Sequence, residues 1–146
     1  MSGPTISESD LAALERAAIA AAPRAYAPYS RFHVGAAVWG EGQQFLGVNV
    51  ENASFGLTIC AERNAVAHAV ASGVQRLTAV AVCTSVSPPS SPCGSCRQVL
   101  AELAEDPRTF RVIAVNPQGE RREWTLEQLL PDCFTKAELP GRIEGT

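Results

Sequence analysis

Two short cysteine segments constrain this chain more than anything else in it: Cys60-Ala61-Glu62-Arg63 and Pro92-Cys93-Gly94-Ser95-Cys96-Arg97-Gln98. Each follows irregular chain and opens a run of helix-forming residues. Cys93 and Cys96 are three apart, a spacing that at the start of a helix puts both sulfurs on one side, a single turn apart. A helix N-terminus also offers free N–H groups and a positive dipole end, and both favour thiolate, the form that binds metal. If Cys60 supplies a third thiolate, the fold must aim two helix N-termini at one spot. Three thiolates with no clear fourth protein ligand leave a coordination position open, the pattern of a catalytic rather than a structural zinc site. Glu62 lies two residues from Cys60 and therefore points elsewhere than that ligand, so it can stand beside the metal as a proton carrier.

The rest of the chain supplies elements to hold two such helices. Ser7 followed by Asp10 resembles a capping box, and the recurrence of Leu11, Leu14 and Ala18 predicts a helix from about Glu8 to Ala22, ended or kinked by Pro23. Alternation through Val34, Ala36 and Val38 predicts a strand over Phe32–Trp39. Gly40-Glu41-Gly42 reads as a turn, and Phe45–Val50 as the hairpin partner. Ala61–Ser72 reads as a helix closed by Gly73, Leu77–Cys83 as a short buried strand and Gly94–Ala104 as a helix. Phe110–Val115 reads as another buried strand and Asn116–Gly119 as a turn. Arg121–Trp124 is expected to form an edge strand and Leu126–Leu130 a short helix capped by Thr125 and closed by Pro131. The order α-β-β-α-β-α-β-β-α predicts one layered α/β domain with a mixed sheet.

Composition narrows the class of function. The chain has 146 residues, 46% of them hydrophobic and 18% charged, enough for a core and far from a disordered composition. The net charge is −3, and the basic residues are scattered, the tightest cluster being Arg121–Arg122 between Glu120 and Glu123. A protein gripping a polyphosphate backbone usually concentrates its basic residues on one face, so a small neutral ligand is expected rather than DNA or RNA. No apolar run approaches the roughly 18–20 residues that span a bilayer, and MSGPTISESD has no signal pattern, so a cytosolic protein with no membrane partner is expected. Five cysteines, an odd number, argue against a disulfide framework. Cys83, at the end of an apolar strand, reads as core. His33 and His68 lack ligand spacing and read as structural or surface residues.

The Cys-x-Glu and Pro-Cys-x-x-Cys pair is the three-cysteine form of the signature carried by zinc deaminases. Together with Phe32-His33-Val34-Gly35-Ala36-Ala37, Asn49-Val50-Glu51-Asn52-Ala53-Ser54, Tyr26-Ala27-Pro28-Tyr29-Ser30 and Leu129-Leu130-Pro131, it makes the chain resemble the small homotetrameric cytidine deaminases from about residue 12 to residue 134. That resemblance implies a three-layer α-β-α sandwich with a mixed five-stranded sheet as a single domain over 1–146, with flexible ends at 1–7 and 138–146. It implies one Zn²⁺ per chain, held by Cys60, Cys93 and Cys96, and hydrolytic deamination of cytidine and deoxycytidine in pyrimidine salvage, with Glu62 carrying the protons. It further implies that Asn49 and Glu51 bind the ribose, that Phe32 packs on the pyrimidine, and that the Ala61 N–H reads the base edge. Arg63 and Arg97 are expected to support the ligands. Phe55 and Phe134 are expected to reach a neighbouring subunit's substrate in a homotetramer. Phe55 stands where Tyr is more usual, and Asn64 where Thr is.

Three other functions fit parts of this pattern: deamination of another cytosine-containing compound such as blasticidin S, editing of RNA or DNA, and a non-catalytic zinc-stabilised binding module. The Asn49-Val50-Glu51 segment favours a plain nucleoside. Glu62 and the missing fourth ligand speak against the last.

Overall fold

The computed structural model describes residues 5–141. Helix α1 (Glu8–Ala21) starts where Ser7 accepts a hydrogen bond from the Asp10 backbone N–H, and it passes into a 3-10 turn at Ala22–Arg24 that carries Pro23. The sheet strands are β1 (Gly35–Gly40), β2 (Gln43–Val48), β3 (Ala79–Cys83), β4 (Arg111–Val115) and β5 (Arg121–Thr125). They lie in the order β2-β1-β3-β4-β5, with β3 and β4 parallel and every other pair antiparallel. Helices α2 (Ala61–Ala71), α3 (Gly94–Leu103) and α4 (Leu126–Leu129) complete the domain.

Alternation along the strands sorts their side chains to two faces. Ala37, Ala79, Ala81, Cys83, Ile113 and Val115 pack with Leu11, Leu14 and Ala18 of α1. Ala36, Val38, Val80, Val82, Val112 and Ala114 pack with α2, α3 and α4 through Ala65, Val66, Leu100 and Leu126. The result is the expected mixed five-stranded sheet between helical layers. β3 is buried along its whole length, as an apolar run covered on both faces must be.

The topology explains how two helix N-termini meet. β2 and β3 are both antiparallel to β1, so they run in the same direction. α2 follows β2 and α3 follows β3, so both helices begin at the same end of the sheet. Gly47 in β2 sets how close α2 comes. A Cβ there lies 2.3 Å from both the Ala61 carbonyl oxygen and the Ala65 nitrogen. Only glycine admits that approach, and the contact fixes the first turn of α2, which carries Glu62.

Two sequence expectations shift. Phe32–Val34 is not strand; β1 begins at Gly35, because the Asn49 side chain takes up the Val34 N–H and the Phe32 carbonyl that a ladder partner would use. β2 ends at Val48, and Val50 leaves the sheet to make separate bridges. Of the ends expected to be flexible, 1–4 and 142–146 lie outside the described residues. Ile6 is buried in the α1-side core.

Candidate metal centre and its surroundings

Cys60 and Cys93 are the N-cap residues of α2 and α3, both with extended backbone and neither making a side-chain capping hydrogen bond. The first-turn N–H groups of both helices are thereby left for other partners. Cys96 sits in the first turn of α3. The Cys60 and Cys93 Sγ atoms are 4.0 Å apart, and those of Cys93 and Cys96 are 3.6 Å apart. All three sulfurs lie within 4.8 Å of one another, and among the described residues this group contains no fourth ligand. Tetrahedral zinc with bonds of about 2.3 Å to sulfur sets its sulfurs about 3.8 Å apart. The observed spacings bracket that value, so the donor set fits one zinc ion per chain.

The charge state of the cluster agrees. Cys60 is lowered to about 6, because the Cys96 and Cys93 thiols hydrogen-bond to its sulfur and the Arg63 guanidinium lies beside it. Cys96 is pushed up in turn, since it donates to Cys60 and is desolvated next to Glu62. The cluster therefore holds negative charge first on Cys60, against a positive helix end. Glu62 is only 5% exposed, and its Oε2 is 3.6 Å from the Cys96 sulfur. Burial, and then the Cys60 thiolate, raise its pKa above the ordinary carboxylate range. A buried carboxyl so tuned can hold a proton and release it. Ala61, the first residue of α2, is fully buried.

Arg97 is a staple. Its Nε donates to the Pro92 carbonyl at 2.8 Å, Nη1 to the Leu129 carbonyl at 2.8 Å and Nη2 to the Ser91 hydroxyl at 2.9 Å. It thus ties the residues just before Cys93 to the end of α4. The next residue, Gln98, donates to the Phe134 carbonyl at 2.9 Å. Sequence reasoning gave Gln98 no role, because its partner lies 36 residues away with no local signal.

The remaining expected residues gather on loops at the same end. Two backbone hydrogen bonds of 3.0 Å pair Val50 with Ile59, and Tyr26 pairs with the Asn49–Glu51 backbone on the other side. These bridges bring Tyr26–Val34, Asn49–Asn52 and Thr58–Cys60 together outside the main sheet. Asn49 is buried; its Oδ1 accepts from the Val34 N–H at 2.8 Å and its Nδ2 donates to the Phe32 carbonyl at 2.7 Å. Glu51 accepts from the Tyr29 and Ser30 N–H groups at 3.0 and 3.1 Å and from the Ser30 hydroxyl. An open cavity of about 390 Å³ is lined by Tyr29, Ser30, Glu51, Phe55 and Thr58. Phe32 is 39% exposed, Phe55 77% and Phe134 60%. Phe55 touches Tyr29 edge to face, with ring centroids 6.1 Å apart.

The other candidates fall away from the cluster. His33 bonds the Arg31 carbonyl and His68 the Leu46 carbonyl. Cys83 is core, its thiol pushed up by burial. No helix among the described residues is long and apolar enough to cross a membrane.

Comparison with known proteins agrees with this geometry. The family model for the cytidine and deoxycytidylate deaminase zinc-binding region matches residues 8–112. The cytidine deaminase of Halalkalibacterium halodurans is 46% identical over 127 residues, which cover 86% of this chain and 95% of that protein. The cytidine deaminase of Sporosarcina psychrophila is 43% identical over 122 residues, covering 83% of this chain and 88% of that one. Among solved structures, cytidine deaminase from Burkholderia pseudomallei superposes with a TM-score of 0.79 at 45% identity, over 88% of this chain and all of that one.

Proposed function

The chain belongs to the cytidine and deoxycytidylate deaminase family, and on that premise we propose that it removes the 4-amino group of cytidine and deoxycytidine by hydrolysis, with Glu62 as the proton carrier. The observation that carries this reading is the pairing of three converging thiols with a buried carboxyl of raised pKa, 3.6 Å from one of them.

Cys60, Cys93 and Cys96 are the residues that hold zinc, and zinc when bound supplies the Lewis acidity that makes a water nucleophilic near neutral pH. Glu62 takes a proton from the attacking water and delivers it to N3 of the pyrimidine, which draws electrons away from C4. The water oxygen bonds to C4, Glu62 takes the remaining proton from that hydroxyl and passes it to the amine, and the C4–N bond breaks as the C4 carbonyl forms. Ammonia and the uracil nucleoside are released. Three thiolates holding a divalent ion would carry a net charge of −1, which Arg63, beside Cys60, and the ends of α2 and α3 would offset. The Ala61 N–H, in the uncapped first turn of α2, reads the base edge beside Glu62. Phe32 packs on the ring, while Asn49 and Glu51 take the ribose hydroxyls. Asn49 keeps one amide hydrogen beyond its bond to Phe32.

The chain acts as a single domain in the cytoplasm, in pyrimidine salvage, and four copies complete one another's sites. The exposure of Phe55 and Phe134 supports that arrangement; each aromatic ring reaches a neighbour's nucleoside.

The test is to assay purified, zinc-quantified protein with cytidine and deoxycytidine by ultraviolet absorbance, with Glu62→Ala alongside. Rapid conversion by the wild type, one zinc per chain in both proteins and an inert variant are expected. A wild type that holds zinc but leaves both nucleosides intact overturns the substrate. A variant that loses zinc makes Glu62 a ligand and overturns the mechanism.

A further inference from the structure

The Phe32 ring is carried by a loop with no ladder partner, yet both polar groups of the Phe32 backbone are taken. Its carbonyl accepts from Asn49 Nδ2 at 2.7 Å, and its N–H donates to the Ser30 hydroxyl at 3.0 Å. The same hydroxyl donates its own proton to Glu51 Oε2. The other carboxylate oxygen of Glu51 accepts the Tyr29 and Ser30 N–H groups. Arg31, between the two anchored residues, sits at φ 57°, a left-handed conformation that a non-glycine residue keeps only when its neighbours hold it. Among the described residues, Ser30 is therefore the one side chain that hydrogen-bonds both the carboxylate and the backbone bearing the ring. A hydroxyl suits this position because it donates and accepts at once.

We propose that Ser30 is a positioning residue for nucleoside binding: its hydroxyl joins the Glu51 carboxylate to the Phe32 backbone, so that the ribose-binding group and the base-packing ring are set by one hydrogen-bond chain. The inference rests on the reading above for Glu51 and Phe32. The hydrogen bond from Ser30 is also the largest influence holding Glu51 below its ordinary pKa, as expected where a hydroxyl donates to the ionised carboxylate. Ser30 itself touches neither the zinc-binding thiols nor Glu62, so its contribution falls on binding rather than on proton transfer.

The test compares wild type, Ser30→Ala and Ser30→Thr, each with zinc content and Tm measured. Ser30→Ala is expected to raise KM for cytidine on the order of tenfold, the effect of losing a charge-assisted hydrogen bond, while kcat stays within about twofold. Ser30→Thr, which keeps the hydroxyl at an exposed position, returns KM towards the wild-type value. In the substrate-free protein, Ser30→Ala speeds hydrogen exchange of the Phe32 amide and Ser30→Thr does not. An unchanged KM, a loss confined to kcat, or a Phe32 amide that exchanges alike in wild type and Ser30→Ala overturns the proposal. Should the wild type leave cytidine intact, the substrate reading fails by itself, and the Phe32 exchange rate decides separately whether the hydroxyl holds the loop.

Discussion

The thiol cluster and the loops proposed to hold the nucleoside lie at the same end of the sheet but are built in opposite ways. The cluster rests on regular structure: two helices that follow two co-directional strands, seated against the sheet at backbone distance. Cys96 and Glu62 are buried there, and the charges are set by burial and by each other. The loops rest on single backbone bridges and on side chains that substitute for a sheet ladder, and their aromatic rings are open to solvent. On the proposed reading, chemistry falls to the part built on helices and recognition to the part built on loops. The difference matters because errors in the two regions are read in different constants: the first in kcat and metal affinity, the second in KM.

Four changes break or sharpen that division, from the largest effect to the smallest. Glu62→Gln removes the proton carrier while keeping its shape; kcat is expected to fall by about 10²–10⁴ with zinc retained, as measured by steady-state kinetics and metal analysis. Arg97→Ala frees Ser91-Pro92 ahead of Cys93; zinc affinity is expected to drop by about 10–100-fold in a competition titration with a chelator, with KM at saturating zinc close to wild type. A rise in KM without loss of metal affinity makes Arg97 part of the recognition side.

Asn49→Ala leaves the buried Val34 N–H without its acceptor and releases the Phe32 carbonyl. Stability is expected to fall by about 1–3 kcal/mol in urea unfolding, and KM to rise more than kcat falls. A variant with normal KM shows that Asn49 serves the fold alone.

The smallest effect lies away from both regions. Glu123 bridges Arg111 at 2.5 Å and Arg121 at 2.9 Å, and Arg111 first of all holds its pKa below the ordinary range. Such a carboxylate contributes stability above its unfolded pKa and loses it as pH falls through the lowered folded value. Glu123→Gln should therefore cost at most about 1 kcal/mol near neutral pH, because the ion pairs lie at the surface with each side chain still partly open to solvent. The difference from wild type should close in strong acid, and KM and kcat should not move. Equal destabilisation at every pH removes the ion pair as its cause.

The same division separates what could be read in the sequence from what could not. Cys60, Glu62, Cys93 and Cys96 were legible because helix spacing and capping are local: a cysteine before a helix, and another three residues on, announce a shared direction. The helices, the buried strands and the β1–β2 hairpin followed from periodicity for the same reason. Phe32–Val34 misled because its alternation is genuine, while the partner it pairs with is the Asn49 side chain, 15–17 residues away, rather than a strand. The Val50–Ile59 bridge and the Gln98 and Arg97 staples are invisible to any pattern confined to one element. Ser30 stood within a quoted motif, but nothing local told its hydroxyl from that of any loop serine.

The close seating of α2 on Gly47 has a counterpart on the other face, where a Cβ at Gly35 lies 2.2 Å from the Ala18 carbonyl oxygen of α1. The hairpin is thus a spacer whose thickness both helices register directly. In a survey of all single substitutions scored by turnover, positions 35 and 47 are expected to be as intolerant as the metal ligands, though neither has a side chain to offer a substrate. Intolerance of that kind marks a dimension of the scaffold, and a designer who wished to widen the nucleoside pocket would do better to work on the loops and leave the hairpin as it is.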